Sequence, residues 1–429
     1  MSQSTTTPTD PSTDAPPLET GRLARLKRST AFESFQYRDF RWVWFGSFGS
    51  FMAMNMQMIT RSWLVLRLTD DSPLDLALVM MTFSIPMTFV SLIGGALADR
   101  FSRRQMVILS QSGNVIMTLF LGVLDLTGVI EFWHLLLFGL VNGSLAAFNM
   151  PSRMAIISDI VPEKGLMNAI SLSNSGMNVT RIAGPALAGL LIIFIDTAGV
   201  FFLISGIYLL SVFTMLTVKA GATPAKRSPN GIFADIREGL SYAISDPTRR
   251  GLVIMAFIPV LFGMSYFALL PAWAREALDV EADGLGVLMM IMGIGALAGT
   301  LMLASMTNMK RRGAFLLGNC VVWGIGLSIF ALSPSYWFAV PFLLLLGLTS
   351  SIFMSLNMTL LQTNSSPEMR GRIMSINMMT FGVMPLSAIP FGVLAERTGT
   401  PDALFISGLL LIAFTLLFTV VYPHYRRIR

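Results

Sequence analysis

Charge is scarce in this 429-residue chain: Asp, Glu, Lys and Arg together make up 13% of it, about half the share that a water-facing surface needs. The lone cysteine, Cys320, sits in an apolar run, which excludes a disulfide framework and a cysteine zinc site. The two histidines, His134 and His424, have no metal-ligand spacing, so no metal site is expected. No phosphate-binding G-x-x-x-x-G-K-S/T motif occurs, so ATP does not drive a process through this chain and no cofactor is expected. Acid is missing from the middle of the apolar runs, since Asp99, Asp125, Asp159 and Asp196 all fall near run ends. What the chain has in excess is apolar side chains, 54% of its residues, with a mean hydropathy of +0.67. They recur in runs of about 20 residues, the length that crosses a bilayer. A soluble enzyme is excluded; the pattern is that of an integral membrane protein.

Residues 1–20 are Ser, Thr, Pro and Asp with hardly an apolar side chain, too little to offset the entropy of ordering, and 1–36 are expected to form a disordered cytoplasmic tail. The first apolar run begins near Phe40, too far in and too long for a signal peptide. Spans are expected at 41–66, 76–98, 106–127, 132–157, 168–194, 199–218, 251–273, 285–306, 313–332, 337–361, 371–394 and 402–422. In hydrocarbon each must be a helix, because every backbone polar group needs an internal partner and the alternation of a barrel is missing. With the N-terminus inside, about 25 of the 30 Lys and Arg fall on the cytoplasmic side. Both termini are therefore expected in the cytoplasm, in a multi-pass protein of the plasma (inner) membrane.

The chain repeats at an offset of 205 residues: Asp99 maps to Ala304, Pro162 to Pro367 and Pro185 to Pro390. Three landmarks in the same loops and helices predict an all-α fold of twelve transmembrane helices in two pseudo-symmetric six-helix bundles, 37–218 and 251–422. The join, 219–250, is polar and basic; Ile232, Ile236, Leu240 and Ile244 recur every four residues and predict an amphipathic helix on the membrane surface. Residues 423–429 are expected to be a basic cytoplasmic tail.

The loop between the second and third spans reads Gly94 to Arg104, with Gly95, Leu97, Asp99, Arg100, Arg103 and Arg104 in the pattern G-x-L-a-D-r-x-G-r-R and a departure at Ser102. In this loop the chain resembles the major facilitator superfamily. An acid at a membrane edge can pair with arginines in one conformation and release them in another. Gly95, Asp99, Arg100, Arg103, Arg104, Arg153 and Asp159 are therefore expected to form a conformational latch. Span five carries Asn178, Arg181 and the run Ile182 to Gly189, downstream of Pro151, Arg153, Asp159, Val161, Pro162, Asn168 and Ala169. This is similar to the drug-efflux branch, the group of macrolide exporters and the enterobactin exporter. A Gly-Pro pair frees a carbonyl and allows bending, so Gly184, Pro185 and Gly189 are expected to form a helix seam. Tight packing without gating is the plainer reading of the same residues.

Arg181 lies near mid-span, where an arginine costs at least about 2.5 to 3.5 kcal/mol, so it should face a cavity or a partner. With no acid at that depth, it points to anionic or neutral polar-aromatic cargo, the alternative being a structural arginine bonded to carbonyls. Arg61 sits closer to a span end and could snorkel. Asn55, Gln57, Arg61, Asn142, Asn178, Arg181, Tyr266, Asn357 and Asn377 are the cavity candidates. Thirty methionines, among them Met52, Met54, Met56 and Met58, suit an adaptable binding surface and equally suit ordinary packing. The resemblance implies proton-coupled export of an amphipathic drug-like compound or siderophore by alternating access. Import of a solute or lysolipid, and a non-transporting sensor or scaffold, are the alternatives. The expected partners are the small-molecule substrate, protons and the lipid bilayer, with no nucleic acid, around a monomer.

Overall fold

The computed structural model describes residues 30–98, 102–219, 232–306, 309–366, 369, 373 and 383–428. Every regular element among them is helical: α1 (Arg38–Leu68), α2 (Pro73–Ala98), α3 (Arg103–Leu126), α4 (Phe132–Ile160) and α5 (Glu163–Thr217) before the join, α6 (Ile232–Ser245) within it. After it come α7 (Pro247–Ile258), α8 (Ser265–Leu278), α9 (Ala282–Ser305), α10 (Arg312–Ala331), α11 (Tyr336–Thr363), α12 (Met384–Thr398) and α13 (Thr400–Val421). Local chemistry sets the ends. Ser102, where the loop motif departs from glycine, caps α3 in a reciprocal pair with Gln105, and Asp246 caps α7 just ahead of Pro247. Between α7 and α8, Pro259–Gly263 forms a π turn, which places a residue without an N–H at the irregularity.

The helix ends sort by charge. One end of the molecule carries Arg103, Arg104, Arg249, Arg250 and Lys310 to Arg312; the other carries Asp70, Asp71, Asp125, Asp196, Asp279 and Glu281. They are called here the basic and acidic ends.

The chain reverses direction within α5. Trp44 donates to the Leu172 carbonyl at 3.0 Å and Asn55 packs on Gly184, so the first limb runs parallel to α1. Gly46 meets Thr214 while Gln57 meets Tyr208, so the second limb runs antiparallel. The chain turns at Asp196, which holds φ 56° and ψ 175°. Asp196 and Asp125 both take a charged contact from Arg67, and Thr197 donates to Asp125, which fastens this corner at the acidic end.

Eight stretches among the described residues are long and apolar enough to cross a membrane, one of them the 53-residue Gly165–Thr217. Ile116, Leu126, Phe194, Leu210 and Val420 each expose more than half of their surface, a face that suits lipid rather than water. The eight fall short of the twelve expected spans for identifiable reasons. The 53-residue stretch contains both limbs of α5, α2 contributes only the short apolar segment Pro73–Met87, α1, which carries Asn55, Gln57 and Arg61 along its length, is not among the eight, and α12 is fifteen residues long in its described part.

Two parts expected to be tails are folded. Thr30–Gln36 is a 3-10 helix; Ser34 donates to Asn168 Oδ1 at 2.7 Å and Phe35 packs edge-on against Trp44. At the other terminus Pro423–Arg427 forms a 3-10 helix whose Tyr425 is buried, as is Ile428 beyond it. The Gly313 N–H donates to the Ile428 carbonyl at 3.2 Å. A few apolar residues in each tail suffice to dock it. Within the join, the amphipathic helix is present as α6, with Leu240 and Ile244 exposed, and it is tied down by Tyr242, whose ring lies 3.9 Å from the Arg249 guanidinium. The Tyr242 hydroxyl accepts from the Ser366 N–H at 3.0 Å, which favours its ionised form and lowers its pKa.

Candidate substrate site

Close approach of the part before the join to the part after it is built on glycine. A methyl group at Gly189 on α5 would stand 2.3 Å from the Ala282 carbonyl oxygen of α9, and one at Gly286 would stand 2.6 Å from the Pro185 carbonyl oxygen. Gly293, further along α9, faces Ile182 in the same way. Removing the side chain is what lets the two backbones touch. The reciprocal crossing joins α12 to α2, where Gly392 packs on Ala77 and Leu74. Under the 205-residue offset α5 maps onto α12 and α2 onto α9, so the two crossings interchange. Charge adds to the same region: Arg275 on α8 lies 3.6 Å from Asp71 and over the Trp63 ring, both before the join, and Ser72 donates to Glu396. These contacts hold the acidic end closed. Of the three residues expected to form the helix seam, Gly184 meets Asn55 of α1 within its own half, and Pro185 and Gly189 reach the other half.

At the basic end, Arg103 and Asp159 form an ion pair at 2.7 Å. Arg104 donates to the carbonyls of Met215 and Leu216, so it caps the C-terminus of α5, where the helix dipole favours a cation. Gly95 lies near the end of α2; Asp99 and Arg100 lie outside the described residues. Arg153 does not join this group. It is 2% exposed and points into the first half, where it donates to Asn149 Oδ1, Ser47 Oγ, Ser50 Oγ and Ser211 Oγ at 2.6 to 3.1 Å. About 10 Å of helix separates it from the end of α4, so it needs acceptors inside the bundle, and hydroxyls supply them.

Further along the same interior, Asn142 donates to Asn114 at 2.8 Å and the Tyr208 hydroxyl donates to Gln57 Oε1 at 3.1 Å. Arg61 follows on the same side of α1 as Gln57. It is 7% exposed, its guanidinium lies 5.7 Å from the centre of the Phe83 ring, and no described residue gives it a carboxylate or a hydrogen-bond acceptor. Arg181 is exposed on α5 and within electrostatic reach of Tyr266, a buried residue of α8. The structure thus brings Arg181 and Tyr266, two of the cavity candidates, towards each other across the halves. Asn178 is half-buried one turn away. Asn55 turns back onto its own helix, donating to Phe51 O at 2.7 Å, Asn357 is buried in α11, and Asn377 lies outside the described residues. The hydroxyl and amide ring around Arg153, with Ser47, Ser50, Asn149 and Ser211, was missed from sequence. A signal existed in α1, where Ser47, Ser50, Gln57 and Arg61 recur at helical spacing.

The family described as transmembrane secretion effector matches residues 29–425, nearly the whole chain. This chain belongs to that family of major facilitator superfamily transporters. Its curated relatives are transporters too. Over 87% of its length it is 24% identical to the staphyloferrin A transporter of Staphylococcus aureus, covering 93% of that protein. It is 25% identical to the multidrug efflux pump Tap of Mycolicibacterium fortuitum, covering 79% of this chain and 84% of Tap. It is also 25% identical to the enterobactin exporter EntS of Salmonella typhimurium, covering 82% of each. Among solved structures, the nucleoside transporter NupG superposes with a TM-score of 0.74 at 13% identity, over 90% of this chain and all of that one; the likeness is one of fold. The transporter has no enzymatic role, and it moves small molecules across a membrane.

Proposed function

We propose that this transporter is a secondary active exporter of an amphipathic small molecule, a drug-like compound or a siderophore, working by alternating access in exchange for protons. The observation that carries the reading is the pair of interchanging crossings, α5 on α9 and α12 on α2, in which bare backbone meets backbone at the acidic end. Contacts made without interlocking side chains can part and re-form as rigid bodies rock, and their glycines leave little to repack. Efflux pump Tap and exporter EntS support the outward direction and the two cargo classes. In this reading the two limbs of α5, with α1 to α4, α7–α8 and α9 to α13, make twelve crossings in two bundles, 37–218 and 251–422, within one monomer of the plasma (inner) membrane. The basic end and both termini face the cytoplasm, as the positive-inside rule requires, so the structure's closed end is the outer one. Exchange for protons follows the resemblance to the efflux branch.

The test is accumulation against depletion. Cells expressing the transporter should retain less of a drug or siderophore panel than cells without it, and an uncoupler should erase the difference. Greater retention would make it an importer, and no difference across the panel would favour a sensor or scaffold.

A further inference from the structure

We infer, resting on the export reading above, that the cargo is an amphipathic organic acid and that Arg61 is the residue that holds its anionic group.

Four observations converge on Arg61. The first is its isolation. A guanidinium carries five N–H donors and is charged at any working pH. A buried charge is normally paired or fully hydrogen-bonded. Arg153, in the same bundle and equally buried, meets that rule with four acceptors. Arg61 has no hydrogen-bond acceptor among the described residues; it meets the face of Phe83 and lies within electrostatic reach of the Tyr208 hydroxyl. The same fold has therefore solved the problem at one arginine and left it open at the other.

The second observation is where the side chain stands on its helix. Met54 is seven residues earlier, about 20° round the helix from Arg61, and it is 39% exposed although it lies in the middle of α1. Phe45, nine residues before Met54 and so on the opposite face, is also exposed, at 57%, and packs with Phe35. The Met54 exposure is thus separate from the outer face of α1. Met58 continues the stripe, half-buried, and Arg61 ends it. The stripe Met54, Met58, Arg61 runs towards the acidic end, which the contacts of Gly189, Gly286 and Arg275 hold closed. Arg61 therefore caps the blind end of an apolar track.

The third observation is the chemistry of that track. Two methionines and an aromatic face lead to one cation, which suits a ligand with an apolar body and a single anionic head. A planar fork of donors fits a carboxylate or sulfonate, and the low dielectric around it strengthens the contact. An inorganic anion would satisfy the charge but leave the methionine stripe without a role. The fourth is that no described carboxylate pairs with it: Asp125 and Asp196 are engaged by Arg67 at the acidic end. The inference moves the charge-reading residue from Arg181, which is exposed, to Arg61.

The experiment uses the purified full chain in proteoliposomes with three dansyl compounds of similar size: dansylglycine, its neutral amide, and a dansyl-aminoethyl-trimethylammonium cation. Wild type should move dansylglycine and be thermally stabilised by it. Arg61→Met should lose that flux by about tenfold or more, the scale of one charge-assisted bond, and Arg61→Lys should keep part of it. The melting temperature of ligand-free Arg61→Met should be equal to or above that of wild type, because an unpaired buried charge has been replaced by an apolar side chain of similar length. A marked fall in melting temperature would make Arg61 a structural residue and overturn the assignment, as would unchanged dansylglycine flux in Arg61→Met. Flux of the cation or the amide without the anion would leave transport standing and overturn the organic-acid assignment alone. Flux of none of the three would overturn both. Stabilisation of wild type by sodium chloride over sodium gluconate, lost in Arg61→Met and without an effect of dansylglycine, would make the site one for an inorganic anion and overturn the proposal.

Discussion

Among the described residues, the interior of the first half, up to the join, carries charge and that of the second half is neutral. Arg61 and Arg153 are the buried charged residues among those described, and the Asp125 side chain is covered as well, all in the first half. In the second half the corresponding interior holds Asn319, which donates to the Thr349 carbonyl at 2.8 Å, and the Ser265–Ser407 hydroxyl pair. The parts before and after the join thus differ in what they bury. A neutral amide or hydroxyl can be satisfied by one backbone carbonyl, whereas an arginine needs several acceptors or a counter-ion. On the reading proposed above, the groups that recognise charge then lie in the first half.

Removing the charge that is satisfied should have the largest effect. Arg153→Met takes four hydrogen bonds from a buried network and leaves Ser47 Oγ and Asn149 Oδ1 without the arginine donor; a loss of about 3 kcal/mol is expected, on the scale of charge-assisted bonds in a buried cluster. A melting curve in detergent measures it, and a drop no larger than that of Arg61→Met would erase the contrast between the two arginines. Next in size is the seam. Gly189→Val places a branched side chain against the Ala282 backbone and should favour separation of the acidic end, cutting flux at least about tenfold while the protein still folds. Cysteine accessibility at the acidic end reads the opening. Gly184→Val acts within the first half, against Asn55, so it should lower stability more than it shifts accessibility. Equal accessibility changes in the two variants would show that the seam does not separate packing within a half from contact between halves.

Much of this was legible in the sequence, and what was not has a common cause. Apolar runs of bilayer length reported the helices, because hydrocarbon allows few other backbones, and the offset of Pro185 and Pro390 matched α5 to α12. The loop motif pointed to Arg103 and the stretch before span five to Asp159, and the structure puts the two in an ion pair. Arg153, read from its position near the end of a span as a latch residue, proved to be an interior one, because α4 runs on to Ile160 and carries it inside. Asp196 looked like a loop residue between two spans; it is the turn itself. Which neighbour each glycine meets depends on how helices cross, information that a one-dimensional pattern does not carry. Gly184 and Gly189 look alike in sequence and face different halves. The same holds for Arg61, whose lack of partners is a property of the residues around it in space.

A neutral interior should respond more weakly. Asn319→Leu in the second half gives up one bond to the Thr349 carbonyl and fills the space with an isosteric apolar side chain, so a loss of about 1 kcal/mol is expected. A melting-temperature fall as large as that of Arg153→Met would show that the second half depends on its polar groups as heavily as the first.

The smallest effect is expected where the two halves meet through exposed charge. Arg275 is shared between Glu281, at 2.9 Å in its own half, and Asp71, at 3.6 Å in the other, with Trp63 beneath it. Its side chain is 32% exposed and that of Asp71 50%, so water and salt screen the pair, and such bridges contribute about 0.2 to 1 kcal/mol. Neutralising Asp71 as Asp71→Asn should therefore change the balance between a closed and an open acidic end by no more than about fivefold. Distances between spin labels on the ends of α2 and α9 would report that balance. Raising the salt concentration should reproduce most of the change in wild type and add little in the variant. A shift far beyond fivefold, or one insensitive to salt, would mean that the Asp71–Arg275 contact is the main closure and that the glycine crossings follow it.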